Sequence, residues 1–322
     1  MTTKFSFFIS VFLALCAFIG LILCPAASAG GARAGLLLCS GIIIPSLFPF
    51  AVLSNIFLEL GLPQKLAKIF SPVTRALFGV SGAGSTAFFL GIAGGYPLGA
   101  ISVSEMYAKG ALRKSEAEKL LSFCDNSGPA FIVSVAGSAV FGSVEIGFFL
   151  YGVHVIAAIL AGVLMKSKKS SGHNPALPVS TVTFSGAFTD SIKRATAAMV
   201  TVCGFVVFFS VLVGLLDAVG ALSSMTGEIS ARFGTELHFS RSLLTGLLEL
   251  GTGTSSMLGL SANALNLALC SFIIGWGGIS VHAQASAVIR EGGLNPARHT
   301  FGKLLHGGLS ALITFFTYSL FF

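Results

Sequence analysis

Charged side chains are scarce in this sequence. Only 10% of its 322 residues are charged, against roughly 25% in an average soluble domain, while 54% are hydrophobic. Soluble domains of this total length would need far more polar surface. The mean hydropathy of +0.91 and several apolar stretches of membrane length therefore predict an all-α multi-pass membrane protein and exclude the soluble fold classes.

Motifs for catalysis and for metal binding are also missing. The sequence contains no HExxH, no GxSxG, no P-loop and no haem-type pair, and the fragment Gly251-Thr252-Gly253 has no predicted strand before it. The six cysteines are scattered, without CxxC or Cys/His spacing. We therefore expect no enzyme activity, no disulfide, no metal centre and no cofactor.

Apolar segments that can form spans or half-spans recur along the chain. They cover 5–29, 36–60, 130–141, 146–165, 199–219, 264–275 and 304–322. Two further apolar regions, 81–107 and 243–260, are rich in glycine and broken, and we interpret both as re-entrant hairpins. The first segment resembles a signal peptide, but its apolar run exceeds the ~7–15 residues usual there, so we favour an uncleaved helix. The prediction is about seven spans and two re-entrant hairpins.

The net charge of +7 follows this topology. With the N-terminus in the cytosol, all basic residues except Arg33, Arg232 and Arg241 fall in cytosolic segments, as the positive-inside rule requires. The basic balance thus indicates a lipid bilayer of the cell membrane as partner and no nucleic acid. The predicted cytosolic residues are Lys4, Lys65, Lys68, Arg75, Lys109, Arg113, Lys114, Lys119, Lys166, Lys168, Lys169, Lys193, Arg194, Arg290, Arg298 and Lys303.

The chain divides into two halves of similar pattern. Each half has a span, a polar connection, a broken hairpin, an interrupted span and a plain helix, and the charge rule gives the two halves opposite orientations. Two similar units of opposite orientation are the inverted-repeat plan of secondary transporters. The predicted divisions are an N-terminal transmembrane helix (1–33), a first repeat (34–165), a cytosolic linker (166–184) and a second repeat (185–322).

The interruptions carry the residues that indicate a binding site. Non-helical backbone at membrane depth is tolerated only where protein buries it or water reaches it. In "CDNSGP" we expect Ser127 to cap a half-membrane helix over 129–141, and in "GGYPLGA" we expect a helix to restart at Pro97. Both helix ends would direct N–H groups at one central cavity. The candidate site residues of the first half are Gly94, Gly95, Tyr96, Pro97, Asp125, Asn126 and Ser127.

Acids in apolar surroundings carry the most weight, since a charge at the bilayer centre costs at least ~2.5–3.5 kcal/mol. Glu249, in "LLELGTG", and Asp125 are such acids. Each can hold a proton or bind a cation; alternatively each caps a helix end or pairs with a base such as Arg241. In "GWGGISVHAQ", His282 is either a proton shuttle or solute ligand or a packing residue. The second-half candidates are Glu249, Thr252, Ser280, His282 and Gln284.

Four motifs resemble one known family. "IIPSLFPF" (43–50), "GGYPLGA" (94–100), "EAEKLLSFCDNSGPAF" (116–131) and "GWGGISVHAQ" (275–284) are similar to YlbJ-type sporulation integral membrane proteins, from about Gly35 onward. These belong to the group with nucleoside-recognition, or gate, domains, which includes concentrative nucleoside transporters and the membrane part of ferrous-iron transporters. The resemblance implies a gate-like, transporter-like fold and a role in endospore formation. The Gly-Gln-x-Glu type motif of the nucleoside transporters is replaced here by Gly94-Gly95-Tyr96-Pro97, so no nucleoside contacts are implied there.

The sequence therefore predicts a secondary transporter for a small polar or anionic solute, coupled to H⁺ or Na⁺ through Asp125 and Glu249. The alternative is a non-transporting scaffold or assembly factor for the spore envelope on a transporter-like fold. The solute, the coupling ion and the choice between monomer and homo-oligomer are left open by the sequence.

Overall fold

The computed structural model describes residues 2–166 and 183–322, whose regular secondary structure is entirely helical, with no strand. Two short π-helices, Cys39–Ile43 and Ala130–Val140, accompany the α-helices. The α-helices are α1 (Thr2–Leu23), α2 (Pro25–Leu38), α3 (Ile44–Glu59), α4 (Leu62–Phe78), α5 (Gly82–Gly94), α6 (Leu98–Ala108), α7 (Lys114–Leu120), α8 (Val144–Leu164), α9 (Phe184–Ala218), α10 (Ala221–Phe233), α11 (Leu237–Leu248), α12 (Leu250–Ser255), α13 (Ala264–Trp276), α14 (Gly278–Glu291) and α15 (Ala297–Phe321).

Polar residues at the helix ends explain where several helices begin. The side chains of Ser81, Ser143, Thr183 and Asn263 each accept a hydrogen bond from a backbone N–H in the first turn of the helix that follows. Such caps replace the partners that the first turn lacks. These residues therefore fix the starts of α5, α8, α9 and α13 inside an otherwise apolar sequence.

The joint between α4 and α5 is held by two buried charged residues of α7. The Lys119 ammonium donates to the carbonyl oxygens of Phe78 at 3.0 Å and Gly79 at 2.9 Å, and the Glu116 carboxylate accepts from the backbone N–H of Ser81. Burial lowers the pKa of Lys119, partly offset by the nearby Glu116. Lys119 is thus a buried helix cap and not one of the exposed cytosolic cations.

Each of the two broken regions is a pair of helices that pack against each other, and their re-entrant course in the membrane stays a prediction. The chain turns between α5 and α6 at Gly95, Tyr96 and Pro97, and between α11 and α12 at Glu249. The interrupted segments are also broken where glycine and proline predicted it. Residues 121–129 precede the Ala130–Val140 helix, and Gly277, at φ +85°, separates α13 from α14.

The two halves of the chain share their interior. The second-half helix α9 packs on α2 and α3, and α15 packs on α8 as well as on α13. One buried apolar cluster surrounds Phe78, Phe88 and Phe123 of the first half and includes Ala285 and Ile289 of α14. A second cluster joins the Ala130–Val140 helix to α13. The halves therefore form one packed body.

Five helical segments are long and apolar enough to cross a membrane, or six if the sharply bent pair of α4 and α5 counts as one span. This count covers residues 2–166 and 183–322, and it supports a multi-pass membrane protein. The number of seven spans and the inverted repeat stay predictions. The first predicted segment, 5–29, is interrupted at Cys24, where α1 ends and α2 begins. The helix α9 begins well before residue 199. The predicted linker 166–184 lies outside the described residues except at its two ends.

Candidate functional site

The four breaks converge on one cavity of about 90 Å³. Each break supplies part of its wall, and α3 and α9 close it with apolar side chains such as those of Leu47, Met199 and Val206. The wall residues from the breaks are Gly94, Gly95 and Tyr96 of the first hairpin, Ser127, Gly128, Ala130 and Phe131 of the first interruption, Glu249, Leu250 and Gly251 of the second hairpin, and Val281 and Gln284 of α14.

Glu249, at the end of α11, carries the one carboxylate among the described residues of the cavity wall. Its backbone is extended, and its side chain accepts from the backbone N–H of Thr252, which caps α12. The hydroxyl of Ser280 donates to its other oxygen at 3.4 Å. Within the described chain, no lysine or arginine forms an ion pair with Glu249. The acid is thus held in position without a compensating cation.

Arg241, the alternative partner for Glu249, binds Asp217 instead. Both guanidinium nitrogens Nη1 and Nη2 donate to the two carboxylate oxygens. This pair raises the pKa of Arg241, chiefly through the hydrogen bonds. The interpretation of Glu249 as the partner of Arg241 is therefore wrong, and Thr252 and Ser280 are its neighbours. Thr252 also contacts α9, through a 3.2 Å hydrogen bond between its hydroxyl and that of Ser210.

Asp125 lies behind the cavity wall and is fully buried. One carboxylate oxygen accepts from the backbone N–H of Ala100 at 3.2 Å, and the other accepts from His299 Nε2 at 2.9 Å. Its backbone carbonyl accepts from the Lys303 ammonium at 2.8 Å. The N-terminal end of α6, expected to point freely into the cavity, is thus occupied by Asp125.

A chain of buried polar groups continues from Lys303 to the cavity wall. Lys303 donates to His306 Nδ1 at 3.2 Å, and His306 Nε2 donates to the carbonyl of His154 at 2.9 Å. His154 Nε2 in turn accepts from the backbone N–H of Ser127 at 3.1 Å. The ammonium also lies 4.7 Å from the centre of the Tyr96 ring, a cation–π distance. This chain of hydrogen bonds thus links Lys303 to Ser127, which lines the cavity.

Sequence reasoning missed most of this network. His154, His299 and His306 are not among the candidate site residues predicted from the sequence, and Lys303 is predicted to lie in a cytosolic segment. Instead, Lys303 is only 1% exposed. A signal was present: His299, Lys303 and His306 are spaced by four and three residues, which places them on one face of a helix.

The remaining predicted residues of the first half have supporting positions. Asn126 is buried and donates to the carbonyl of Phe123 at 2.9 Å. Ser127 does not cap the next helix, which begins after Pro129 without a side-chain cap; its N–H is held by His154. Pro97 precedes α6, as expected from its fixed φ. Of these three, Ser127 alone lines the cavity.

His282 lies next to the cavity wall but faces away from it. Its ring packs on that of Trp276, with centres 4.1 Å apart, and on that of His299, at 5.3 Å. Val281 and Gln284, which flank it on α14, line the cavity. The structure thus brings Gly94, Gly95, Tyr96, Ser127, Glu249 and Gln284 to the cavity and places Pro97, Asp125, Asn126, Thr252, Ser280 and His282 around it.

Glycines allow the breaks to touch. A Cβ on Gly128 would lie 3.2 Å from the Cα of Gly95, and a Cβ on Gly278 would lie 3.0 Å from the backbone of Glu249. Gly95 and Gly278 also have positive φ angles of 81° and 78°, which disfavour other residues. In each half, therefore, the tip of the hairpin rests against the interruption of the following segment.

Comparisons with known proteins agree with this architecture. No family model matches the sequence. Two solved structures of variants of CNTnw, a transporter, in an outward-facing state each superimpose with a TM-score of 0.51 at 15% identity. They cover 99% of this chain and 84% and 85% of theirs. This likeness shows a transporter-like fold.

The sequence is also similar to the sporulation integral membrane protein YlbJ of Bacillus subtilis (strain 168). The two are 26% identical, over 89% of this chain and 77% of the relative. The match covers most of the chain. It confirms the resemblance of this chain to the YlbJ-type sporulation integral membrane proteins.

Proposed function

We propose that this multi-pass membrane protein is a secondary transporter that moves a small polar solute across the cell membrane during endospore formation. The observation that carries the proposal is the position of Glu249 on a cavity where four interrupted segments meet. The similarity to a sporulation membrane protein and the transporter-like fold support it. We propose no enzymatic activity for this protein.

The wall of the cavity limits the class of solute. Besides the Glu249 carboxylate, it offers the Gln284 amide, the Ser127 hydroxyl and the backbone of four glycines. An ionised carboxylate repels an anion, so of the two expected classes we favour an uncharged polar solute over an anionic one. The cavity of about 90 Å³ is far below the roughly 300–1,000 Å³ of pockets for drug-sized ligands. We therefore expect a solute of few non-hydrogen atoms, or a cavity that widens when the helices separate.

Coupling to H⁺ or Na⁺ is proposed to depend on Glu249. A buried acid without a cationic partner must hold a proton or attract a cation, and either ion changes the charge beside the solute. Asp125 acts on the same wall from behind, since Ser127 and Gly128 follow it in the chain. A non-transporting scaffold, in contrast, would not require Glu249 or Asp125 to be in a particular charge state.

Replacement of Glu249 by Gln tests the proposal. Gln keeps the shape of the side chain and an oxygen that can accept from Thr252 N–H, so the amount of protein and its unfolding temperature should stay near wild type. Heat-resistant spore counts in a strain that depends on this protein should nevertheless fall at least tenfold. Glu249→Asp should retain part of the activity because the charge survives.

Glu236→Gln is the matched control, since Glu236 is an exposed acid just before α11 and should have no effect. If Glu249→Gln supports sporulation as well as wild type, the coupling role is wrong and the scaffold becomes the better interpretation. Comparison of small metabolites in forespore and mother cell, with and without the protein, would then identify the solute of an active transporter.

A further inference from the structure

The buried acids around the cavity outnumber the buried lysines. Asp125, Glu249 and Lys303 are between 0% and 3% exposed, and they are two acids and one base. Glu116 and Lys119, the other buried charged pair, compensate each other at the α4–α5 joint. Because an uncompensated charge in the protein interior costs several kcal/mol, this centre is arranged to take up one further cation.

The free ligand atom at the centre belongs to an imidazole. The His282 ring is hydrogen-bonded to the backbone of Trp276, and Nδ1 of His299 has no hydrogen-bond partner in the described structure. His299 is completely buried, His282 is 9% exposed, and their ring centres are 5.3 Å apart. The pair therefore includes a buried imidazole nitrogen, His299 Nδ1, that can take up a cation.

The chemistry of these atoms selects the cation. Imidazole nitrogen binds a proton or a transition metal, whereas Na⁺, like other hard cations, takes oxygen ligands. Among the described residues, no group of three or more His, Cys, Asp or Glu side chains is arranged to hold a metal ion. The proton is the cation that fits two imidazoles backed by one carboxylate.

We propose that H⁺ is the coupling ion and that the His282–His299 pair carries it, with Asp125 as the compensating charge. The inference rests on the proposed transport function and chooses between its two coupling ions. The proton forms an N–H bond at an unpaired nitrogen of the pair, while His299 Nε2 keeps its hydrogen bond to Asp125. The result is an imidazolium beside a carboxylate, and no other bond changes.

The position of the pair links protonation to the cavity. His282 lies on α14 between Val281 and Gln284, which both line the cavity. Asp125 anchors the segment that carries Ser127 and holds the first turn of α6 through Ala100. A change of charge on His299 therefore acts on two parts of the wall. The titratable groups in contact with His299 are Asp125 and His282. Lys303 acts on His282 electrostatically, and Tyr96 and Cys124 lie near Asp125. His306 and His154 follow Lys303 in the hydrogen-bonded chain.

Trp276 provides the measurement, because it is the one tryptophan of the chain and packs on His282. A protonated imidazole in contact with an indole quenches its fluorescence. Fluorescence of the purified full-length protein in lipid nanodiscs should therefore fall as the pH is lowered from about 8 to about 3, a range that extends below the usual histidine titration because burial disfavours a charged imidazole. Size-exclusion chromatography at each pH controls for unfolding.

Three variants assign the signal. His282→Phe should abolish the pH-dependent quenching. Asp125→Asn should move its midpoint down by about 1–3 pH units, since an opposite charge within a few ångströms favours the protonated imidazole by that amount. His299→Gln should also move the midpoint, and it retains a donor for Asp125 if Asp125→Asn fails to fold. His238→Gln, which changes an exposed histidine of α11, should leave the curve unchanged.

Two results would overturn the inference. One is fluorescence that does not respond to pH, and the other is a response that neither His299→Gln nor Asp125→Asn displaces. Reversal of the quenching by NaCl, but not by choline chloride, at constant pH would assign the site to Na⁺ instead. None of these results affects the outcome of the Glu249→Gln experiment. The proton site can therefore be rejected while the proposed transport function is retained. The reverse outcome, normal titration with active Glu249→Gln, would reject transport alone.

Discussion

Lys119 and Lys303 show how single side chains depart from the pattern that surrounds them. The sequence places both in segments next to other basic residues, and the charge rule counts both as cytosolic. In the structure each ammonium is buried and donates to backbone carbonyls, those of Phe78 and Gly79 for Lys119 and that of Asp125 for Lys303. A count of basic residues indicates on which side of the membrane a segment lies. Whether a lysine in that segment is buried depends instead on carbonyl groups elsewhere in the chain that accept from its ammonium.

The capping role of Lys119 predicts a loss of stability in Lys119→Met. Met keeps the aliphatic stem but leaves two carbonyls at the end of α4 without their donor, at about 1–3 kcal/mol each. The unfolding temperature in detergent should fall by several degrees. Lys114→Met, which changes an exposed lysine of the same helix, is the control. Equal unfolding temperatures for the two variants would show that water can replace the ammonium.

The helices and the breaks between them were largely predictable from the sequence, whereas the residues that contact the breaks from elsewhere in the chain were not. Gly94, Gly95, Pro97 and "CDNSGP" mark the breaks because these residues have strong local preferences for backbone conformation. The contact of Asp125 with His299 has no such mark, since the two residues lie 174 positions apart. The sequence therefore predicted a cavity at the breaks with Glu249 on its wall, but not the buried His154, His299 and His306 behind it.

The crossing of α15 over the first interruption predicts a sharp difference between two of its glycines. A Cβ on Gly302 would lie 2.0 Å from the carbonyl oxygen of Ser122, whereas a Cβ on Gly308 would meet nothing within 4 Å. Gly302→Ala should push α15 away from Asp125 and destabilise the protein by about 1–3 kcal/mol or more. Gly308→Ala should be neutral or slightly stabilising, because alanine favours helix.

Thermal unfolding and spore counts of the two variants make the comparison. A Gly302→Ala protein as stable and active as Gly308→Ala would show that the close approach of α15 to residue 122 is not needed.

The described residues share one interior, and their orientation in the membrane stays a prediction. Helices of both halves alternate around the cavity, so the division into repeats at 34–165 and 185–322 does not separate two independent packing units. The positive-inside rule places the N-terminus in the cytosol and the 221–237 connection outside.

Two engineered cysteines in a cysteine-free background test this orientation. Lys109 and Ser224 are exposed ends of the α6 and α10 regions and lie on opposite sides in the predicted topology. An impermeant thiol reagent should label Ser224→Cys in intact cells, and Lys109→Cys only after the membrane is opened. Labelling in the opposite order would reverse the orientation of both halves.

The pairing of Asp125 with a residue of α15 has a consequence for how the protein is made. His299 emerges from the ribosome 174 residues after Asp125, which takes roughly 10–35 s at the usual rate of synthesis. During that interval the first interruption is already at the membrane with its acid unpaired. Insertion of the first half must therefore leave this segment in contact with water, or with a helper protein, until the last helix arrives and closes it.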